Sequence, residues 1–378
     1  FEVNADDITK GSFVLTSGSL NDTSRVTVSG PGGATDAAVA LNLGEDNFGV
    51  EMTGLDALQA LLASLDGSDI ELSGGADGAA STTDTDYDKI FTAFLKYRDI
   101  NVICLPGKYM PSDGSGNAVI DSAVAHCESM KNRMLIVDPE ASYEIKDASY
   151  VSALALPKKS YTALYYPWVK VSNPYYNAET NPGAPSTVLA APSGFAAGIW
   201  AKTDAKRGVW KAPAGIATQL LGASGLEYAV EDDEQDYLNP LGVNALRKLP
   251  NYGQVVWGSR TLATKSDPEW RYIPVRRTAM YIEESIYNGI QWAVFEPNQH
   301  TLWSALRGNI GNFMNGLLRA GAFQGEKASD AYFVRCGLGD TMTQGDIDAG
   351  QVIVIVGFAP VKPAEFVIVR IQQKVSQE

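Results

Sequence analysis

Three residues have the types needed for a hydrolytic site. Cys104 lies near the end of the apolar run INVICLPG, His126 sits in the segment that follows, and Asp138 closes the run RMLIVDPE. A cysteine nucleophile needs a base within hydrogen-bonding reach, and histidine is the usual one. In an open α/β sheet, ligands gather beyond the carboxyl ends of the strands, which is where Cys104, Asp138 and Asp77 of GGADG fall. The competing reading of Cys104 is a small thiol buried inside an apolar strand. GGADG lacks the spacing and the lysine of a phosphate-binding loop, so its glycines read as turn residues. His300 reads as a surface or satisfied core histidine. Glu231, Asp232, Asp233, Glu234 and Asp236 could attract a cation, but a run of like charge reads first as a solvated turn. His126 and His300 are the only histidines, and Cys104, Cys127 and Cys336 the only cysteines. Three widely spaced cysteines make neither a disulfide framework nor a zinc ligand set, and they suit a reducing compartment. No cofactor is expected.

The elements that would position these groups fall into three regions, within the two or three domains that 378 residues suggest at about 150 each. Residues 1–70 form a β-rich peripheral segment. The short runs GSFVLTSG, SRVTVSG and AAVALNLG are bounded by turn residues, and Leu55, Leu58, Leu61, Leu62 and Leu65 follow at helical spacing. Residues 71–250 alternate helix and strand. Asp84 is placed to cap a helix carrying Ile90, Phe91, Phe94 and Leu95. INVICLPG, RMLIVDPE and YTALYYPW read as strands, with a helix through Ile120, Val124 and Cys127 between the first two. Short apolar strands separated by helices predict a mostly parallel sheet flanked by helices. The stretch from Ser172 to Ser193, with four prolines, reads as an exposed loop. Residues 251–378 predict an α+β module: a strand QVVWGSRTL, a helix presenting Ile282, Ile286, Ile290 and Ala293, a break at Pro297, and a helix capped by Asn298 that carries Leu302, Leu306, Ile310, Phe313 and Leu317. The strands AYFVRCG, QVIVIVGF and EFVIVRIQ follow.

Charge narrows the partners. The net charge is −14 and all of it falls on residues 1–250, residues 251–378 being neutral. An acidic chain is a poor match for a phosphate backbone, so nucleic acid is not an expected partner. There is no run of 18 apolar residues, and no membrane-spanning helix is expected. The aromatic runs ALYYPWVKV and NPYYNAET suggest interface or loop packing. A surface glycan-binding role for residues 1–50 and the Pro174–Pro192 loop, and an enzyme using Cys104 and Asp138, stand as alternative functions.

The most informative segment is EFVIVRIQ. Phe366, Val367, Ile368 and Val369 alternate across a strand that Arg370 and Ile371 continue, so both faces are apolar over the first four residues. Such a strand either lies deep in its own sheet or completes the sheet of another chain. Left uncovered, it is an aggregation hazard.

These residues, with ELSGGADG, INVICLPG, AHCESMKNRMLIVDPE, RGVWKAPAG, LNPLGVNALRKLPNYGQVVWGSRTL, WRYIPVRRTAMYIEESIYNGIQWAVFEPN, AYFVRCG and APVKPAEFVIVRI, resemble the contractile tail sheath proteins of myophages and related injection machines. The resemblance covers roughly residues 70–378. It implies a structural subunit that polymerises with itself around a tail tube, contracts on a baseplate signal and drives the tube through the host envelope. It implies baseplate and tail terminator proteins as further partners, assembly in the host cytoplasm, residence in the virion, and arms that exchange strands between neighbours. The residues that would exchange are Phe366 to Ile371. The family's opening PGVYVEE-like arm has no counterpart here and the chain begins with Phe1, so an upstream arm is expected.

Overall fold

The computed structural model describes residues 84–365 apart from 264 and 266. The predicted elements of residues 1–70, Asp77 with GGADG, and the terminal strand Phe366–Ile371 lie outside the described residues. In chain order the main elements are α1 (Asp84–Phe94), β1 (Val102–Cys104), α2 (Ala118–Met130), β2 (Met134–Val137), α3 (Ala148–Ala153), β3 (Thr162–Tyr166), β4 (Val169–Ser172), β5 (Thr187–Ala190), α4 (Pro192–Arg207), β6 (Ala223–Leu226), α5 (Asp232–Leu238), β7 (Val243–Leu249) and β8 (Gly253–Val256). These are followed by α6 (Ile273–Gly289), α7 (His300–Arg319), α8 (Ala328–Ala331), β9 (Tyr332–Arg335), α9 (Gln344–Asp348) and β10 (Ile355–Phe358).

The central sheet runs β1-β2-β3-β7-β8, parallel from β1 to β7 and antiparallel only at β8. Period-2 alternation sends its apolar side chains to two faces. Leu135, Val137, Leu164, Tyr166 and Val243 pack with Phe91 of α1, with Val119, Ile120 and Val124 of α2, and with Val151 of α3. Met134, Ile136, Ala163, Tyr165 and Leu246 pack with Ala196, Ile199 and Trp200 of α4 and with Ile273 and Met280 of α6. Burial on both faces explains why these strands read as unbroken apolar runs. A three-stranded antiparallel sheet, β5-β4-β6, extends from β3.

Local signals set the helix limits. Asn117 accepts hydrogen bonds from the backbone of Val119 and Ile120 and caps α2. Pro192 opens α4, where its missing N–H is harmless. Gly208 ends α4 at φ +90°, and a Cβ there would lie 2.4 Å from the Trp210 ring, so two separate constraints call for glycine. In the last part of the chain, α7 buries Leu302, Trp303, Leu306, Ile310, Met314 and Leu317 at three- and four-residue steps. That face packs on the β9–β10 pair through Val334, Val356 and Phe358, with Phe323 and Ile282.

Several expectations need correction. Ile90 and Leu95 are exposed, and α1 is anchored by buried Phe91 with half-buried Tyr87 against the same cluster. The stretch from Ser172 to Ser193 is not all loop, because Thr187–Ala190 pairs antiparallel with Val169–Ser172. The helix carrying Ile282 stops at Gly289, ahead of Ile290. Gln299 is the N-cap of α7; the Asn298 side chain instead takes the indole N–H of Trp303 at 2.8 Å and donates to the Gln351 carbonyl. Tyr165 and Tyr166 are core residues, with Trp200 Nε1 donating to Tyr165 at 2.8 Å and Ile145 N to Tyr166 at 3.1 Å. The acidic run forms the capping box and first turn of α5, where negative charge complements the helix dipole.

Asn244 stitches the end of the sheet together. Its amide donates to the carbonyls of Leu164 and Arg260 and its oxygen accepts from Arg260 N at 2.6 Å, all without solvent exposure. Gly258 lies against it, with a Cβ there falling 2.7 Å from Asn244 Cα. Asn244→Leu is expected to cost about 2–4 kcal/mol, because it strands an N–H and two carbonyls in the core; urea denaturation measures the loss.

Candidate functional site

The hydrolytic constellation is not assembled. Cys104 faces α4, where its thiol donates to the Ser193 carbonyl at 3.6 Å, and burial pushes it up to about 11. His126 belongs to α2 on the opposite face of the sheet. It stacks on Phe91 at 5.5 Å and meets Arg133 at 3.0 Å. Burial, then the Arg133 charge, push its titration down, so the ring is a neutral acceptor for a guanidinium. Arg133 spends its other donors on Asn132 and on the carbonyls of Phe94 and Tyr97, closing the end of α1. Strand alternation separates Cys104 from His126, a separation that spacing along the chain does not reveal. His300 opens α7 and packs edge-on to Trp303. Among the described residues no cluster of His, Cys, Asp or Glu could hold a metal ion, and no helix is long and apolar enough to cross a membrane.

Asp138 holds a structural post. Its carboxylate accepts from Ser193 N at 2.8 Å and from Ser193 Oγ at 2.6 Å, which caps the start of α4. Burial nevertheless raises its titration to about 6. The folded value exceeds the unfolded one, so the stabilisation is complete at acid pH and is lost as pH rises through about 6. In Asp138→Asn the amide oxygen still accepts from Ser193 N, while its NH2 donates to Ser193 Oγ with the hydroxyl turned round, and the charge is gone. The substitution is expected to raise stability by about 2–3 kcal/mol at pH 8 and to leave it nearly unchanged at pH 4; thermal unfolding at the two pH values checks this.

The geometry instead concentrates at the root of the terminal segment. Glu365 is held by Arg260 in a bidentate pair, Nε to Oε1 at 2.9 Å and a terminal nitrogen to Oε2 at 2.5 Å, with both side chains largely buried. Tyr272 donates to Oε2 at 3.2 Å and Asn239 to Oε1 at 3.4 Å. Burial pushes this carboxyl up, but the hydrogen bonds and charge of Arg260 outweigh it and hold the group below its usual range. Arg260 and Glu365 are far apart in sequence, and the only hint of the pair is an acid set directly before an apolar strand. The clamp fixes the position of Glu365, the last described residue.

A second feature lies on the β9–β10 pair. It is a two-stranded sheet, so along these strands each has one edge without a strand partner among the described residues. Phe333 and Ile355 are exposed on it. In the turn between α6 and α7, Trp292 and Val294 are exposed and Phe295 wholly so, the last at φ +71°. Exposed apolar groups and unpaired strand edges are both features of surfaces that other chains can cover.

Residues 80–262 match the family model of the phage tail sheath protein central domain, and residues 265–374 match that of the phage tail sheath C-terminal domain. A prophage major tail sheath protein of Pseudomonas aeruginosa (strain UCBPP-PA14) is 31% identical over 134 residues, which is 34% of each chain. The tail sheath protein of Burkholderia phage BcepMu is 33% identical over 172 residues, 44% of this chain and 34% of the relative. The chain thus spans about a third of the length of the curated relatives it matches. Among solved structures, the helical sheath of the anti-feeding prophage in its contracted state is 32% identical, with a TM-score of 0.62 over 79% of this chain and 76% of that one. The sheath complex of the extracellular contractile injection system PVC, also contracted, is 35% identical, with a TM-score of 0.59 over 71% and 72%.

Proposed function

The chain belongs to the phage tail sheath family, a family of structural proteins and not of enzymes, and from this premise we propose that it is a subunit of a contractile sheath. Copies polymerise helically around a tail tube, are nucleated at a baseplate and closed by a terminator, and shorten to drive the tube through an envelope. Assembly takes place in the host cytoplasm and the product resides in the phage tail. Residues 71–250 and 251–378 act as its two sheath domains, and residues 1–70 as a peripheral segment. The observation that carries this is the consecutive match of both sheath domains along one chain.

The joint between copies is the strand Phe366–Ile371. The apolar alternation of Phe366–Val369, the clamp on Glu365 directly before it, and the edges of β9 and β10 that have no strand partner among the described residues support pairing with a neighbour's sheet. The neutral charge of residues 251–378 lets copies pack there without accumulating repulsion.

The work of contraction comes from packing. Two arrangements of the same subunits must differ in contact energy. A few hundred Å² of extra apolar burial per subunit, at about 25 cal/mol per Å², supplies several kcal/mol. Negative-stain microscopy of the purified protein tests the proposal. Tubes or stacked rings are expected. Monodisperse particles at every concentration and ionic strength would refute it.

A further inference from the structure

A cavity of about 900 Å³ opens beside the clamp, walled by Trp210, Gln235, Asn239, Trp257 and Ser259 and by the chain itself from Val361 to Glu365. Its volume lies at the upper end of the roughly 300–1,000 Å³ usual for binding pockets. Five buried side-chain polar atoms lack a hydrogen-bond partner among the described residues, and three of them, Gln235 Oε1, Asn239 Oδ1 and Ser259 Oγ, belong to this wall. Asn239 is 7% exposed and Ser259 5%. Buried polar groups are almost always paired, so three orphans in one cavity indicate a missing occupant. Two of the three are carbonyl oxygens, which require donors. The two indoles require apolar matter. An extended apolar segment meets both needs, since its backbone presents N–H groups at regular intervals between side chains.

One such segment begins at the cavity wall. Phe366 follows Glu365 directly, so no linker is needed to reach the cavity, and Phe366–Val369 is apolar on both faces, with Arg370 the one charged residue before Ile371. In a free subunit that strand has no neighbour to complete, and exposed it would draw copies into disordered aggregates. We propose that in the free subunit residues Phe366–Ile371 are stored in this cavity of their own chain, giving backbone donors to Gln235 and Asn239 and covering Trp210 and Trp257. Storage shields the strand until a growing sheath offers it an edge. The release step rests on the strand-joining reading above; the storage step stands without it.

The test uses the whole chain with Gln235→Cys and Ile368→Cys, oxidised at a concentration where it is monomeric, with the wild type as control for Cys104, Cys127 and Cys336. The expected result is an intramolecular disulfide, formed at a rate independent of protein concentration, and a protein that assembles only after reduction. Disulfides solely between chains would assign the cavity to a second copy, and no disulfide in a chain with native circular dichroism would leave it to a small ligand; either overturns storage. A second variant, Ala320→Trp, plugs the cavity from an exposed rim position. It is expected to shorten the assembly lag several-fold, and an unchanged lag counts against storage. A reduced double-cysteine chain and a wild type that never polymerise refute the sheath reading, while the disulfide result still decides storage.

Discussion

Deleting residues 366–378 is expected to give a folded, soluble chain that no longer polymerises. The two packed faces of the central sheet and the clusters around α7 are built by described residues between 84 and 365. The body should therefore still unfold cooperatively without the segment, its midpoint lowered only by the contacts that storage of Phe366–Ile371 adds. The effect on assembly is large by contrast. A six-residue strand added to an edge makes several backbone hydrogen bonds worth about 1 kcal/mol each net. Its Phe, Val and Ile side chains add about 1.5–3 kcal/mol apiece on burial. Ordering six residues costs about 1–2 kcal/mol each. The balance is several kcal/mol per junction, so the critical concentration should rise at least about a hundredfold. Light scattering against concentration reads this directly. Tubes from the shortened chain at the wild-type concentration would refute the strand as the joint.

The parts of the fold that were legible in sequence are those whose cause is local. INVICLPG, RMLIVDPE and YTALYYPW announce buried parallel strands because both faces of the sheet are covered, so no polar residue interrupts them. The stripe Leu302, Leu306, Ile310, Leu317 announces α7 because one face of it meets β9 and β10. Where the sequence misled, a tertiary partner had overridden a local signal. Thr187–Ala190 looks like part of a proline-rich loop, and is a strand only because β4 offers it an edge. Tyr165 looks like an interface aromatic, yet its hydroxyl is satisfied inside the core by Trp200. The family is legible from the quoted motifs, whereas the clamp is not. Nothing near Arg260 in the chain points to Glu365, because the pair is made by the return of the last segment onto the end of the central sheet.

That clamp carries the second large prediction. Arg260→Met and Glu365→Gln are each expected to cost about 3–5 kcal/mol, since each leaves a buried partner without its counter-charge or its full set of hydrogen bonds. The pH dependence has a definite sign. The folded Glu365 carboxyl titrates below its ordinary range, so its stabilisation is complete above the ordinary value of about 4.3 and is lost as pH falls through the lower folded value. Asp138 acts in the opposite sense and at higher pH, around 6. Stability of the wild type should therefore drop below about pH 4 in a step that Glu365→Gln abolishes. The double variant Arg260→Met with Glu365→Leu separates stability from direction. An apolar pair of similar volume can match a buried ion pair, so thermal stability should return to within about 1–2 kcal/mol of the wild type. On the proposed strand joint assembly should not return, because methionine and leucine do not fix the backbone at position 365 as a bidentate fork does. A double variant that both unfolds and polymerises like the wild type would show that the pair only holds the chain down, and that the aim of the strand is set elsewhere.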